Sequence, residues 1–350
     1  MAEAVPGDHL IGALGRRAAT LQAVGDWTDV GEDLRLDLLS MAGVTGRCTS
    51  KSAFSKPIAP LTYLGHVQRD GEPLAMAQFV PDDPPGSLDI PVLLIVGTSM
   101  DAGKTLAGTR LVRWLRRRGL RIVAAKLTGV GRYRDVLALG DAGADWIVDF
   151  VDAGLPSTAV PAEEFEAAVA PLMGRMNELG ADLAVIEAGA SPLEPYNGDT
   201  VVRLLGAAVR SIVLCASDPY AALGVMQAFD ATPSFIAGRA SATTAGVELT
   251  ARLTGHPCLN LLEDEIEAVV GDRLRKDLGL WCPLTSARRR DADRRSDDVG
   301  AGGDGAPRRH RGRPAPSYAG ARHQRHPGAG RRRETDRRRH LVGPGGRAGT

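Results

Sequence analysis

The chain of 350 residues has little with which to build a covalent or metal-bound framework. Its four cysteines, Cys48, Cys215, Cys258 and Cys282, are scattered and never approach CxxC spacing. That spacing argues against a disulfide scaffold or a structural zinc site and fits a reducing, cytoplasmic compartment. The longest apolar runs are only strand-sized, so no membrane span is expected. The opening segment, MAEAVPGDHLIGALGRR, is acidic early and lacks the apolar core of a secretory signal. Residues 281–350 contain no Lys, Ile, Phe, Met or Asn and only four Leu or Val residues.

The formal net charge of +1 conceals an asymmetry. Residues 281–350 hold 18 Arg against 7 acidic residues, a net of +11, which leaves 25 basic and 35 acidic residues and a net of −10 for the first 280. A segment of that composition cannot bury enough apolar surface to offset the entropy of ordering it. Three readings apply: a basic arm for nucleic acid, a solvated tail without a role, or an out-of-frame translation of a GC-rich gene. Arginine without lysine is what GC-rich codons give in any frame, which favours the third. Trp281 and Tyr318 are the segment's only aromatics, so it offers bases no stacking platform. With an acidic body, nucleic acid is not the expected partner.

The chemistry concentrates at Gly97-Thr98-Ser99-Met100-Asp101-Ala102-Gly103-Lys104-Thr105. An apolar run at 90–96 precedes it and a helical pattern follows. Strand, glycine-bounded loop and helix in that order make a phosphate-binding P-loop. Loop N–H groups and the helix N-terminus create a concave positive site for phosphate oxygens. Gly97, Thr98, Asp101, Ala102, Gly103, Lys104 and Thr105 are therefore the expected nucleotide-binding residues. Lys104 faces the β- and γ-phosphates, and the Thr105 hydroxyl is a ligand for Mg²⁺. The pattern departs from the usual one: Thr98 occupies the place of the first glycine, with Gly97 one position earlier.

Around this loop, strand and helix patterns alternate. Strands are expected at 90–96, 121–126, 146–150, 182–186, 211–216, 234–237 and 258–261. Helices are expected at 104–118, 135–142, 162–179, 200–209, 219–229 and 243–254. Such alternation predicts an α/β fold, a mostly parallel sheet with helices on both faces. Ligands in these sheets bind beyond the carboxyl ends of the strands. Before it, a short helix is expected at 10–24, followed by short runs bounded by Gly, Asp and Pro, and then by the linker-like Pro81-Asp82-Asp83-Pro84-Pro85-Gly86. The expected organisation is a small β-rich N-terminal module (1–86), a P-loop domain (87–283) and a disordered tail (284–350).

Three further elements bear charge near expected strand ends. Lys126 closes the second strand, where an unpaired ammonium is costly. Either a phosphate or carboxylate partner or a route to solvent satisfies it. Asp135 is a helix cap or a metal ligand. Glu187, at the end of 182–186 beside Ala188-Gly189, is a Mg²⁺ ligand or the cap of the next turn. Thr105, Asp135 and Glu187 together have the oxygen donors that Mg²⁺ favours beside substrate phosphates and water. His66 and His256 are isolated histidines, and Cys215 reads as a buried core residue.

The P-loop with Lys126, Asp135 and Glu187-Ala188-Gly189-Ala190, in that order, resembles the dethiobiotin synthetases and related cobyrinic acid synthetases. Ala188 departs from their pattern, where glycine stands. Val148-Asp149-Phe150-Val151-Asp152-Ala153-Gly154 is similar to the related family DUF1611, some of whose members are linked to amino-acid N-acylation. These resemblances imply ATP and Mg²⁺ as cofactors and a small-molecule substrate. They also imply phosphoryl transfer that activates a carboxylate or carbamate, with Lys104 and Lys126 catalytic. Alternatives are a nucleotide-dependent chaperone or regulator, and an acyl transferase using acyl-coenzyme A. Thr98 stands where MinD/ParA-type ATPases have a second lysine, which weighs against a partner-stimulated dimer switch. A homo-oligomer is compatible with all of this.

Overall fold

The computed structural model describes residues 5–229, 232–263 and 267–279. The tail expected from 284 onward lies outside the described residues.

The N-terminal part is β-rich. Strands β1 (Ala13–Leu14), β2 (Arg17–Ala19), β3 (Ala23–Asp26), β4 (Arg35–Leu38), β5 (Val44–Lys51) and β6 (Pro60–Thr62) form one sheet. Its order is β2-β3-β5-β4-β6, with β1 lying parallel on β5. A small hairpin, β7 (Gln68–Arg69) with β8 (Glu72–Pro73), follows. The helix expected at 10–24 does not form: the segment is spent on β1, β2 and the start of β3. The reason is tertiary. A Cβ on Gly12 would lie 2.5 Å from the Gly43 carbonyl oxygen, so this glycine admits close backbone pairing that a helix would forgo.

The second sheet contains β9 (Val92–Gly97), β10 (Ile122–Thr128), β11 (Trp146–Asp149), β12 (Leu183–Ala188), β13 (Val209–Ala216) and β14 (Phe235–Gly238). All pairs are parallel, in the order β11-β10-β12-β9-β13-β14. Successive side chains alternate between two cores, as the period of a strand requires. Val92, Leu94 and Val96 point to one face, and Leu93 and Ile95 to the other. The first face is covered by helices α3 (Ala162–Glu178), α4 (Gly198–Leu205) and α5 (Pro219–Phe229). Val247 and Ala251 of α6 (Thr244–Thr254) pack at its margin. The second face is covered by α1 (Lys104–Arg116), α2 (Tyr133–Asp141) and α7 (Glu267–Leu278).

The expected α/β class is therefore observed, and each of the six central strands forms within a few residues of its expected place. The seventh expected strand, 258–261, is reduced to one bridge between Ile236 and Cys258. Pro257 lacks an N–H for the ladder, which limits pairing there. Helix α7 was not expected, although Val270, Leu274 and Leu278 repeat at helical spacing and are all buried. No helix of the described residues is long and apolar enough to cross a membrane.

Candidate functional site

The phosphate loop joins β9 to α1 at the centre of the parallel sheet. Here the crossovers diverge: β10 and β12 lie on one side of β9, and β13 lies on the other. That is where an open α/β sheet presents its crevice. A Cβ on Gly97 would sit 2.8 Å from both Cδ and Nζ of Lys104, so the lysine chain lies directly across this glycine. Gly103 has φ of +103° and is packed on Gly238, whose Cα lies 3.1 Å from its ideal Cβ position. No side chain caps the N-terminus of α1, so no side chain occupies the N–H groups of its first turn.

Thr98 explains the departure from the usual loop pattern. Its N–H donates to the Cys215 carbonyl at 3.0 Å, and its Oγ1 accepts from the Ser217 N–H at 3.0 Å. A side chain at this position thus anchors the loop to the end of β13.

Lys104 is buried, with Nζ donating to the carbonyls of Ser99 (2.8 Å) and Ala190 (2.7 Å). An ammonium has three donors, so one remains for an incoming anion. Burial holds its pKa below the ordinary lysine value, and the nearby Glu187 charge opposes that shift. A phosphate would supply the counter-charge that desolvation makes favourable. Thr105 Oγ1 donates to Glu187 Oε2 at 3.0 Å, and Glu187 is itself buried. Hydroxyl and carboxylate thus converge beside the lysine, a donor set that fits Mg²⁺ completed by phosphate oxygens and water.

Asp135 is placed elsewhere. Its Oδ2 accepts from Lys126 Nζ at 2.8 Å, and Arg132 Nε lies 3.9 Å from its Oδ1. The carboxylate is therefore the partner that the buried strand-end lysine requires, and it stands in the first turn of α2, where negative charge is favoured. Lys126 also donates to the Val130 carbonyl at 3.4 Å. Of the three expected metal ligands, Thr105 and Glu187 touch each other, while Asp135 binds Lys126. Among the described residues, no cluster of three or more His, Cys, Asp or Glu side chains is arranged to hold a metal ion.

Across the strand ends, Lys126 is in register with Glu187 on one side and Asp149 on the other. Asp149 is 4% exposed, and its Oδ2 is buried without a hydrogen-bond partner. Burial pushes its pKa up to about 7, against the pull of Lys126. Cys215 is fully buried behind the loop, and burial pushes its thiol up to about 12, as suits a core residue rather than a nucleophile.

Sequence reasoning missed the parts of this site that are backbone. The carbonyls of Ser99 and Ala190 carry no side-chain signature. Asp149 lies in the segment 148–154 that is similar to DUF1611, but its burial depends on β10 and on the turn that follows β11.

A loop that wraps its lysine over a strand-end glycine, with threonine facing a strand-end carboxylate, is the geometry of a P-loop nucleotide-binding domain. Residues 80–233 match the family model described as the DUF1611 P-loop domain of unknown function. The DUF1611 match covers β9 to β13 together with α1 to α5, and so includes every charged residue discussed above. No curated protein matches the chain. Among solved structures, the chain is similar to the signal recognition particle receptor FtsY from Elizabethkingia anophelis. That match is 15% identical, covers 53% of this chain and 62% of that one, and has a TM-score of 0.32. Chloroplast FtsY from Physcomitrella patens is also 15% identical, with coverage of 52% and 62% and a TM-score of 0.34. The signal recognition particle 54 kDa protein from Aeropyrum pernix K1, in complex with GDP, is 18% identical, with coverage of 65% and 52% and a TM-score of 0.32. The chain thus spans less than two thirds of these proteins, and likeness at this level says nothing about activity.

Proposed function

We propose that this protein is an ATP- and Mg²⁺-dependent enzyme that activates a small carboxylate or carbamate by phosphoryl transfer. The observation that carries the reading is the row of buried charge at the strand ends. Lys104 and the Thr105–Glu187 pair sit at the phosphate loop, and a second buried lysine, Lys126, stands in register with Glu187. A nucleotide-binding module needs the first group. The second cation offers a place for an acceptor anion beside it.

In this reading the loop amides and Lys104 hold the triphosphate. Thr105 and Glu187 would hold Mg²⁺, which would offset charge on the transferring phosphoryl group. Lys126 keeps Asp135 and the Val130 carbonyl as partners and turns its third N–H to the acceptor oxyanion. An acceptor oxygen attacks the γ-phosphorus, the bond to the β-phosphate oxygen breaks, and ADP leaves. The resulting acyl phosphate is open to a second nucleophile. Positioning and electrostatics supply the acceleration.

Fluorescent nucleotide titration with and without Mg²⁺, followed by a metabolite screen for ADP release, tests the proposal. Saturable binding and stimulation by a carboxylate are expected. Lys104→Ala should lower turnover by roughly a hundredfold or more, the scale of losing a charge-stabilising donor. Glu187→Gln keeps the shape and should raise the Mg²⁺ concentration required. Normal turnover in Lys104→Ala would remove the P-loop from the chemistry. Stimulation by a protein alone would favour a regulatory NTPase, and displacement of ATP by coenzyme A would favour acyl transfer.

A further inference from the structure

The β2–β3 hairpin belongs to the N-terminal sheet, yet it touches both loops that frame the phosphate site. At its turn, Gln22 Nε2 donates to Asp101 Oδ2 of the phosphate loop at 2.6 Å. The amide orientation is set from behind. Arg17 Nη2 donates to Gln22 Oε1 at 2.6 Å, and Arg17 Nη1 donates to the Leu39 carbonyl. With its oxygen facing a guanidinium, the amide must turn its nitrogen to the carboxylate. On the other side, the Ala18 N–H donates to the buried Tyr196 hydroxyl at 2.7 Å, and the Thr20 N–H donates to Glu194 Oε1 at 3.2 Å. Tyr196 and Glu194 lie in the loop after β12, the strand that carries Glu187 and leads to the Ala190 carbonyl on Lys104.

Asp101 also has φ of +59°, a left-handed conformation uncommon for non-glycine residues, though aspartate is among those that adopt it most readily. Its side chain is the group that Gln22 grips.

We propose that the β2–β3 hairpin is a brace for the phosphate site, with Gln22 the positioning residue that fixes Asp101 and thereby the loop. The N-terminal sheet and nucleotide affinity are then linked: an intact hairpin tightens binding of a nucleoside triphosphate, and bound nucleotide holds the hairpin down. The ligand class rests on the function proposed above, whereas the brace itself does not.

The test is a double-mutant cycle with Gln22→Glu and Asp101→Asn, and with Gln22→Ala alongside. Gln22→Glu still accepts from Arg17 but sets a carboxylate against Asp101. Asp101→Asn reverses donor and acceptor and is tolerated at positive φ. Two quantities are measured: amide hydrogen exchange of peptides covering 98–107 in the ligand-free protein, and affinity for fluorescent ATP. Gln22→Ala should speed exchange in 98–107 and weaken ATP by about tenfold, the scale of one hydrogen bond to a charged group. Gln22→Glu should weaken it further. The double variant should recover at least about threefold in both quantities relative to Gln22→Glu, which a merely destabilised N-terminal sheet would not do. Unchanged exchange in Gln22→Ala, or no recovery in the double variant relative to Gln22→Glu, overturns the brace. If the parent binds no nucleotide, the proposed function fails while the exchange cycle still decides the brace.

Discussion

Asp149 is a carboxyl group whose surroundings work against its charge. A carboxyl that is 4% exposed, with one oxygen unpartnered, keeps its proton to about pH 7 in the fold. In the unfolded chain it ionises near the ordinary value of 3.8. Between those values the folded state binds more protons than the unfolded one, so the contribution to stability is present at low pH and declines as pH rises toward neutrality. Asp149→Asn does not titrate and retains an oxygen for the Val151 N–H. It should therefore gain stability relative to the parent as pH rises, by about 1–3 kcal/mol between roughly pH 5 and pH 8. Urea unfolding at both pH values measures this, and an equal difference at both would show that Asp149 does not titrate in that window. Lys126 makes the opposite point. Its need for a partner could be read from its place at a strand end, but only the fold chose Asp135 over a phosphate or solvent.

At the scale of elements, most boundaries follow from local chemistry. The central strands are continuous apolar runs because both of their faces are covered, and such runs are conspicuous in sequence. Three elements depart from the expected ones, the helix at 10–24, the strand at 258–261 and helix α7, and the first and last of these depend on partners distant in the chain. The segment at 10–24 has helix-compatible composition, yet pairing with β5 and within the hairpin wins. Helix α7 carries few apolar residues, and its burial becomes apparent only where it meets Trp114, Phe235 and the rest of the second core. Leu274 is fully buried there. Leu274→Ala should destabilise the protein by about 2–5 kcal/mol, the range for large-to-small core substitutions. Chemical denaturation reads the change, and a loss below about 0.5 kcal/mol would show α7 to be a surface appendage.

For the whole molecule, the composition of the chain changes after Thr285. Residues beyond it are poor in aliphatic side chains and rich in like charge. Deleting 286–350 should leave the melting temperature and nucleotide affinity nearly unchanged, whereas deleting from Glu267 onward should lower the melting temperature sharply by uncovering the second face of the sheet. Protease-resistant fragments within 290–350, or a large loss of stability in the shorter deletion, would show that the segment contributes to the fold. The amino-acid sequence by itself determined the α/β class and the phosphate loop and marked Lys104, Thr105 and Glu187 as candidate site residues, because glycine spacing, strand-length apolar runs and strand-end charges are local properties. Only the tertiary structure decided what those groups touch. Thr105 meets Glu187, Asp135 meets Lys126, and Gln22 reaches Asp101 across 79 positions of chain. Such pairings arise from strand order and loop packing, and residue spacing along the chain does not encode which strand end lies beside which.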